Sequence, residues 1–161
     1  MFKNRFLISF LLLVAVSFMS YAEINSLIIP AYAFYPMRFD TEWYASWGEI
    51  HIKFSPTNPE GKLRAPVFLP EGAVIKKVIL RYKLSEEPVI TMTLYRRNMY
   101  TDVEQIVASI TAPLAVDYMN LATYSIAYRT VNNGGYCYYI VIDIPPGPTY
   151  PRIAGVKILY E

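Results

Sequence analysis

Between residues 49 and 160 apolar positions recur with a period of two, the spacing of a strand that turns one face to a core and the other to water. In Glu49-Ile50-His51-Ile52-Lys53-Phe54 apolar residues alternate with charged or polar ones. Ile50, Ile52 and Phe54 therefore share one face, and His51 points to solvent between Glu49 and Lys53. Pro56 to Gly61 ends that strand, because Pro fixes φ and Gly permits the positive φ of tight turns. Leu63 to Leu69 reads as a second strand, stopped by Pro70-Glu71-Gly72. Val74, Lys76, Val78, Leu80, Tyr82 and Leu84 then form the core face of a long strand, against Ile75, Lys77, Ile79, Arg81 and Lys83. Ser85-Glu86-Glu87-Pro88 turns the chain, and Val89 to Arg97 returns with Ile90, Met92 and Leu94 alternating against Thr91, Thr93 and Tyr95. These two strands are expected to pair as an antiparallel hairpin.

Glu104 to Thr111, Thr123 to Val131, Tyr136 to Ile144 and Ile153 to Tyr160 are further strand candidates. Asn132-Asn133-Gly134-Gly135 signals a hairpin between two of them, since Asn and Gly tolerate left-handed turn conformations. Pro145-Pro146-Gly147-Pro148 can neither continue a strand nor start a helix and reads as a surface crossover. Only Thr101 to Ala112 also has helical spacing, through Val103, Ile106, Val107 and Ile110. Its β reading, with Ile106, Ala108 and Ile110 on one face, suits the β-rich neighbours better. Seven to nine short strands with frequent turn signals predict an all-β fold, an antiparallel two-sheet β-sandwich. The alternatives are a jelly-roll-like and an immunoglobulin-like winding.

The length of 161 residues suits one domain, and 54% apolar with 17% charged residues argues against a disordered chain. Much of the apolar excess lies in the first 22 residues. Lys3 and Arg5 precede an apolar run from Phe6 to Phe18, and Ser20-Tyr21-Ala22 follows as a small-x-small cleavage signal. The expectation is a signal peptide over residues 1–22 and a single β-sandwich domain over 23–161. The product is then secreted, whether periplasmic, cell-surface or extracellular, with no membrane span after cleavage. Losing Lys3 and Arg5 leaves 13 basic residues against the 13 acidic ones. A neutral domain offers no overall attraction for nucleic acid. The lone Cys137 excludes an internal disulfide, and in an oxidising compartment it is expected to be buried or partnered between molecules.

Ile29 to Pro36, Ala65 to Ile75, Leu94-Tyr95-Arg96-Arg97 and Gly155 to Tyr160 together resemble a family of small secreted bacterial β-sandwich proteins of no established function. The resemblance spans about Ile28 to Tyr160 and implies the same sandwich fold. It brings no catalytic residues. Members carry smaller Ser/Thr/Gly-rich segments where this chain has Trp43-Tyr44-Ala45-Ser46-Trp47, so no ligand surface is carried over there.

Catalytic chemistry finds little to stand on. The only base for a serine nucleophile is His51, in a strand with no nucleophile-elbow sequence beside it. Cys137, within Tyr136-Cys137-Tyr138-Tyr139-Ile140, reads as a small apolar strand residue rather than an activated thiolate. Asp40 with Glu42 and Glu86 with Glu87 lack a spacing that would single out a glycosidase pair. Asp40, Glu42, Asp102 and Glu104 form no Asp-rich calcium loop. No catalytic residue, metal site or cofactor is therefore assigned, and a non-catalytic binding or structural module is expected.

Two modes of binding remain. A glycan can stack on an aromatic patch around Trp43, Tyr44 and Trp47, with Tyr95, Arg96 and Arg97 as weaker candidates for contact with a ligand. Alternatively the chain self-associates, or joins an envelope protein, by strand addition. The apolar stretch Glu23 to Phe34 is the natural strand to donate.

Overall fold

A computed structural model describes residues 24–37, 42–46, 48–53, 61–85, 89–145 and 151–161, with the backbone alone for 42–46 and 51–53. The proposed leader and Trp47 lie outside the described residues.

Eleven strands form two antiparallel sheets. In chain order they are β1 (Asn25–Pro30), β2 (Tyr35–Pro36), β3 (Glu42–Ser46), β4 (Glu49–Lys53), β5 (Gly61–Val67), β6 (Ile75–Leu84), β7 (Ile90–Asn98), β8 (Glu104–Ala112), β9 (Ala115–Thr123), β10 (Tyr136–Ile144) and β11 (Arg152–Tyr160). A 3-10 turn, Ala31–Ala33, links β1 to β2. The first sheet runs β3-β4-β11-β6-β9, with β1 also on β11, and the second runs β2-β5-β10-β7-β8. From β4 to β11 every connection except β7 to β8 passes from one sheet to the other. That winding is jelly-roll-like rather than immunoglobulin-like. No described helix is long and apolar enough to cross a membrane.

The period-two pattern explains the layers. Val78, Leu80, Tyr82 and Leu84 of β6, with Ile153, Val156 and Ile158 of β11, meet Leu63 and Ala65 of β5, Ile140 and Ile142 of β10, and Met92 and Leu94 of β7 in one apolar core. Tyr82 is wholly buried, and its hydroxyl donates to the Pro113 carbonyl at 2.8 Å, so its polar tip is satisfied.

Several expectations need correction. Strands β6 and β7 do not pair: β6 lies between β11 and β9, while β7 lies between β10 and β8 in the other sheet. Alternation identifies which face a strand buries, not which strand lies beside it. The predicted strand over Thr123 to Val131 is mostly irregular, and the Asn132–Gly135 turn leads into β10 without forming a hairpin. The strand in this region is β9, in a stretch whose weak alternation the pattern left unassigned. Thr101 to Ala112 holds strand β8, as preferred, but Ile106 faces out. A bulge between the Leu94 and Tyr95 pairings inserts Val107, which is buried beside Ala108. A bulge at Lys76 likewise moves the inner face of β6 from Val74 and Lys76 to Ile75. The strands exceed the expected seven to nine because β1, β2 and β3 add to the N-terminal side.

The stretch expected as a donated strand is already used within the chain. Asn25 to Pro30 pairs with Tyr160 to Gly155 along β11. Gly155 permits this close approach: its φ is +146°, and a Cβ there would lie 2.6 Å from the Ile29 carbonyl oxygen. Replacing Gly155 by Ala should cost about 2–3 kcal/mol through backbone strain and separation of β1 from β11, measured by denaturant unfolding. Tyr82→Phe should cost about 1–2 kcal/mol by stranding the Pro113 carbonyl, and the same measurement checks it.

Candidate binding surface

The outward positions of the second sheet gather what the inner positions exclude. Register places Tyr35 of β2 opposite Arg64 of β5, Tyr139 of β10 opposite Pro66 and Tyr95, and Cys137 opposite Arg97. Arg97 in turn faces Glu104 of β8. Alternation along each strand sends all of these side chains to the side away from the core.

Tyr139 organises the group. Its ring stacks on Tyr95 with centroids 5.5 Å apart and planes 22° from parallel. The Arg64 guanidinium lies over its other side, 4.4 Å from the centroid. Its hydroxyl donates to the Glu104 carboxylate. These covers leave Tyr139 only 7% exposed although it points outward. Burial, and then the hydrogen bond and charge of Glu104, push its phenol well above the ordinary range, with Arg64 and Arg97 opposing.

Arg64 is held in place without being neutralised. Among the described residues no carboxylate pairs with it, and its Nε is buried without a hydrogen-bond partner. Arg97 differs, since its Nη2 reaches Asp102 Oδ1 at 3.2 Å. Beside Arg64 opens a groove of about 430 Å³, lined among others by Tyr35, Pro66, Phe68, Cys137 and Tyr139. Phe68 is 81% exposed and Tyr35 48%. Asn133 reaches the same groove, its side-chain amide donating to the Leu69 carbonyl at 2.9 Å. The surface thus offers two exposed rings, a guanidinium held over Tyr139 in the same groove, and an amide. Such a surface suits a neutral polar ligand with a flat apolar face.

The residues singled out from sequence divide. Tyr95 and Arg97 belong to this face. Arg96 points the opposite way on β7, with its guanidinium 3.5 Å from the Tyr128 ring centroid and 4.2 Å from that of Tyr136, and its Nε donating to Gln105 Oε1 at 2.7 Å. Adjacent strand residues cannot serve one face, so the Arg96-Arg97 pair is not a single basic site. Trp43 and Tyr44 sit on β3, in the other sheet, where they pair with Ile52 and His51 of β4. Trp47 falls outside the described residues. Glu104 and Asp102 are engaged by Tyr139 and Arg97.

Cys137 is exposed, so of the two expected states, buried or partnered between molecules, burial is excluded; its strand parity is opposite to that of Tyr138 and Ile140. Its thiol lies 3.8 Å from the Arg97 carbonyl.

Sequence reasoning missed Tyr35, Arg64, Phe68 and Tyr139. A signal for two of them was present: Lys62, Arg64, Pro66 and Phe68 alternate with Leu63, Ala65, Val67 and Leu69, so Phe68 is an aromatic at an outward position.

No protein-family model matches this chain, and no curated protein matches it. Solved structures do. The chain is similar in fold to a low-affinity xylan-binding module of carbohydrate-binding family 86 from Roseburia intestinalis, at 12% identity and TM-score 0.53, covering 85% of this chain and 96% of that one. It is similar to the C-terminal family 6 module of a laminarinase from Zobellia galactanivorans, at 14% identity and TM-score 0.54, covering 83% and 98%. A mutant family 29 carbohydrate-binding module complexed with cellulohexaose matches at 9% identity and TM-score 0.53, covering 86% and 92%. At these identities the likeness is one of fold.

Proposed function

We propose that this protein is a non-catalytic carbohydrate-binding module that holds a neutral glycan in the groove on the outer face of the second sheet. One observation carries the reading: Arg64, over the Tyr139 ring and without a carboxylate partner among the described residues, lines one groove with the exposed rings of Tyr35 and Phe68. Rings take the C–H face of a sugar, and the guanidinium donates to its hydroxyls. Because Arg64 lies over Tyr139, which Tyr95 and Glu104 hold in turn, little side-chain freedom is lost on binding. The carbohydrate-binding neighbours support the same reading. Secretion fits a ligand met outside the cell.

Affinity electrophoresis in soluble xylan and in a soluble β-glucan tests it. Retardation should be seen in at least one, and Arg64→Ala and Tyr35→Ala should each weaken it about tenfold or more. Loss of retardation on Trp47→Ala with none on Arg64→Ala would move the site to the Trp43-Tyr44-Trp47 segment instead.

Alkaline titration reports whether the cluster is assembled. Ordinary tyrosines ionise near pH ~10, whereas Tyr139 should hold its proton beyond that. A raised folded pKa means that this contribution to stability is complete below the unfolded value and is lost as pH rises through the folded one. Tyr82 and Tyr118 are also shifted upward, both chiefly by burial. The absorbance difference between the unmodified protein and Tyr139→Phe therefore isolates one late-ionising phenol.

A further inference from the structure

The outer face of the first sheet is basic in a chain whose charges nearly balance. Lys77, Arg81 and Lys83 of β6 and Lys157 of β11 all fall on outward positions. Among the described residues none of the four has a carboxylate partner. Glu49, an acid on this sheet, is 4.0 Å from Arg152 and so already engaged. Asp117 has the opposite parity to Tyr118 on the edge strand β9. Rings brace two of the cations without neutralising them, Tyr124 under Lys77 at 4.8 Å and Tyr118 under Arg81 at 5.5 Å. Like charges held on one face, rows about 7 Å apart along the strands, repel one another at a cost to folding.

The register opens a groove among them. One row across the sheet reads Ile28, Lys157, Ile79, and the next reads Pro30, Gly155, Arg81, Asn120. Beside Arg81 the second row holds only the Gly155 backbone, and a groove of about 410 Å³ lies across the two rows. Ile28, 63% exposed, and Ile79 form apolar walls, while Arg81, Lys157 and Asn120 supply donors. Such a groove combines an apolar surface for a sugar ring with a planar guanidinium for the two oxygens of a carboxylate.

We propose that this face is a second binding site, for an acidic polysaccharide carrying uronate carboxylates, with Arg81 and Lys157 as the residues that take the carboxylate. It is separate from the neutral-glycan groove, since the two lie on opposite outer faces of the sandwich. The test is affinity electrophoresis of the purified protein in polygalacturonate. The protein should be retarded at about 50 mM salt and much less at about 200 mM, and the Arg81→Gln/Lys157→Gln double variant should bind about tenfold or more weakly. Retardation in a soluble β-glucan, which carries no carboxylate, should be the same for the double variant, and Arg64→Ala should leave retardation in polygalacturonate unchanged, so that failure of one site is distinguishable from failure of the other. Circular dichroism of the double variant, matching that of the unmodified protein, would confirm that any loss is not unfolding. No retardation in polygalacturonate at low salt overturns the proposal. So does retardation that the double variant retains, or stronger binding to dextran sulfate or to phosphatidylserine vesicles than to polygalacturonate.

Discussion

The first sheet depends on one strand that serves two partners along a single edge. β11 pairs with β4 through Arg152 and Ile153 and with β1 from Gly155 onward, while its other edge runs the length of β6. A bulge at Ala154 separates the two pairings. Without a side chain at Gly155 the β1 backbone can approach there; with one, the carbonyl of Ile29 would be in the way. The position of β1 and the burial of Ile29 both depend on that one residue.

Strand parity then distributes the chemistry. Once the inner positions are given to Ile, Leu, Val and Met, everything polar, charged or partly aromatic on the same strands is displayed outward in rows. On the second sheet this assembles Arg64, Tyr139 and Tyr95 from three different strands into a stack. On the first it lines up cations with few acids near them. The overall charge conceals this: among the described residues, four cations without a carboxylate partner share one face, while Glu71, Asp102, Glu104 and Asp143 are located around the other sheet.

Fold class was legible in the alternation because burying one face of a strand is a local property of its residues. Ile50, Val78 to Leu84, Ile90 to Leu94 and Ile140 to Ile144 all turn the expected side inward. Pairing was not legible, since β6 and β7 bury equally good faces in opposite sheets and nothing in either says which strand lies alongside. Bulges were invisible for a related reason: one extra residue at Lys76 or Val107 shifts the phase of the next positions along the strand, yet leaves composition unchanged. Of the binding surface, Tyr95 and Arg97 could be read from their place at the end of a strand. Arg64 and Tyr139 are 75 residues apart, and only the β5–β10 register brings them together.

The central place of β11 also constrains how the chain can acquire its structure. Strands β1, β4 and β6 end 122, 99 and 68 residues before it starts, and each pairs with it. Until residues 152–160 exist, β1 has no neighbour, β3–β4 and β6–β9 are separate pairs, and the first sheet has no middle. Its loop-closure entropy must be met in one late step, which favours slow formation. The second sheet needs none of residues 152–160, so on a growing chain one layer of the sandwich can pair its strands before the other has its central one.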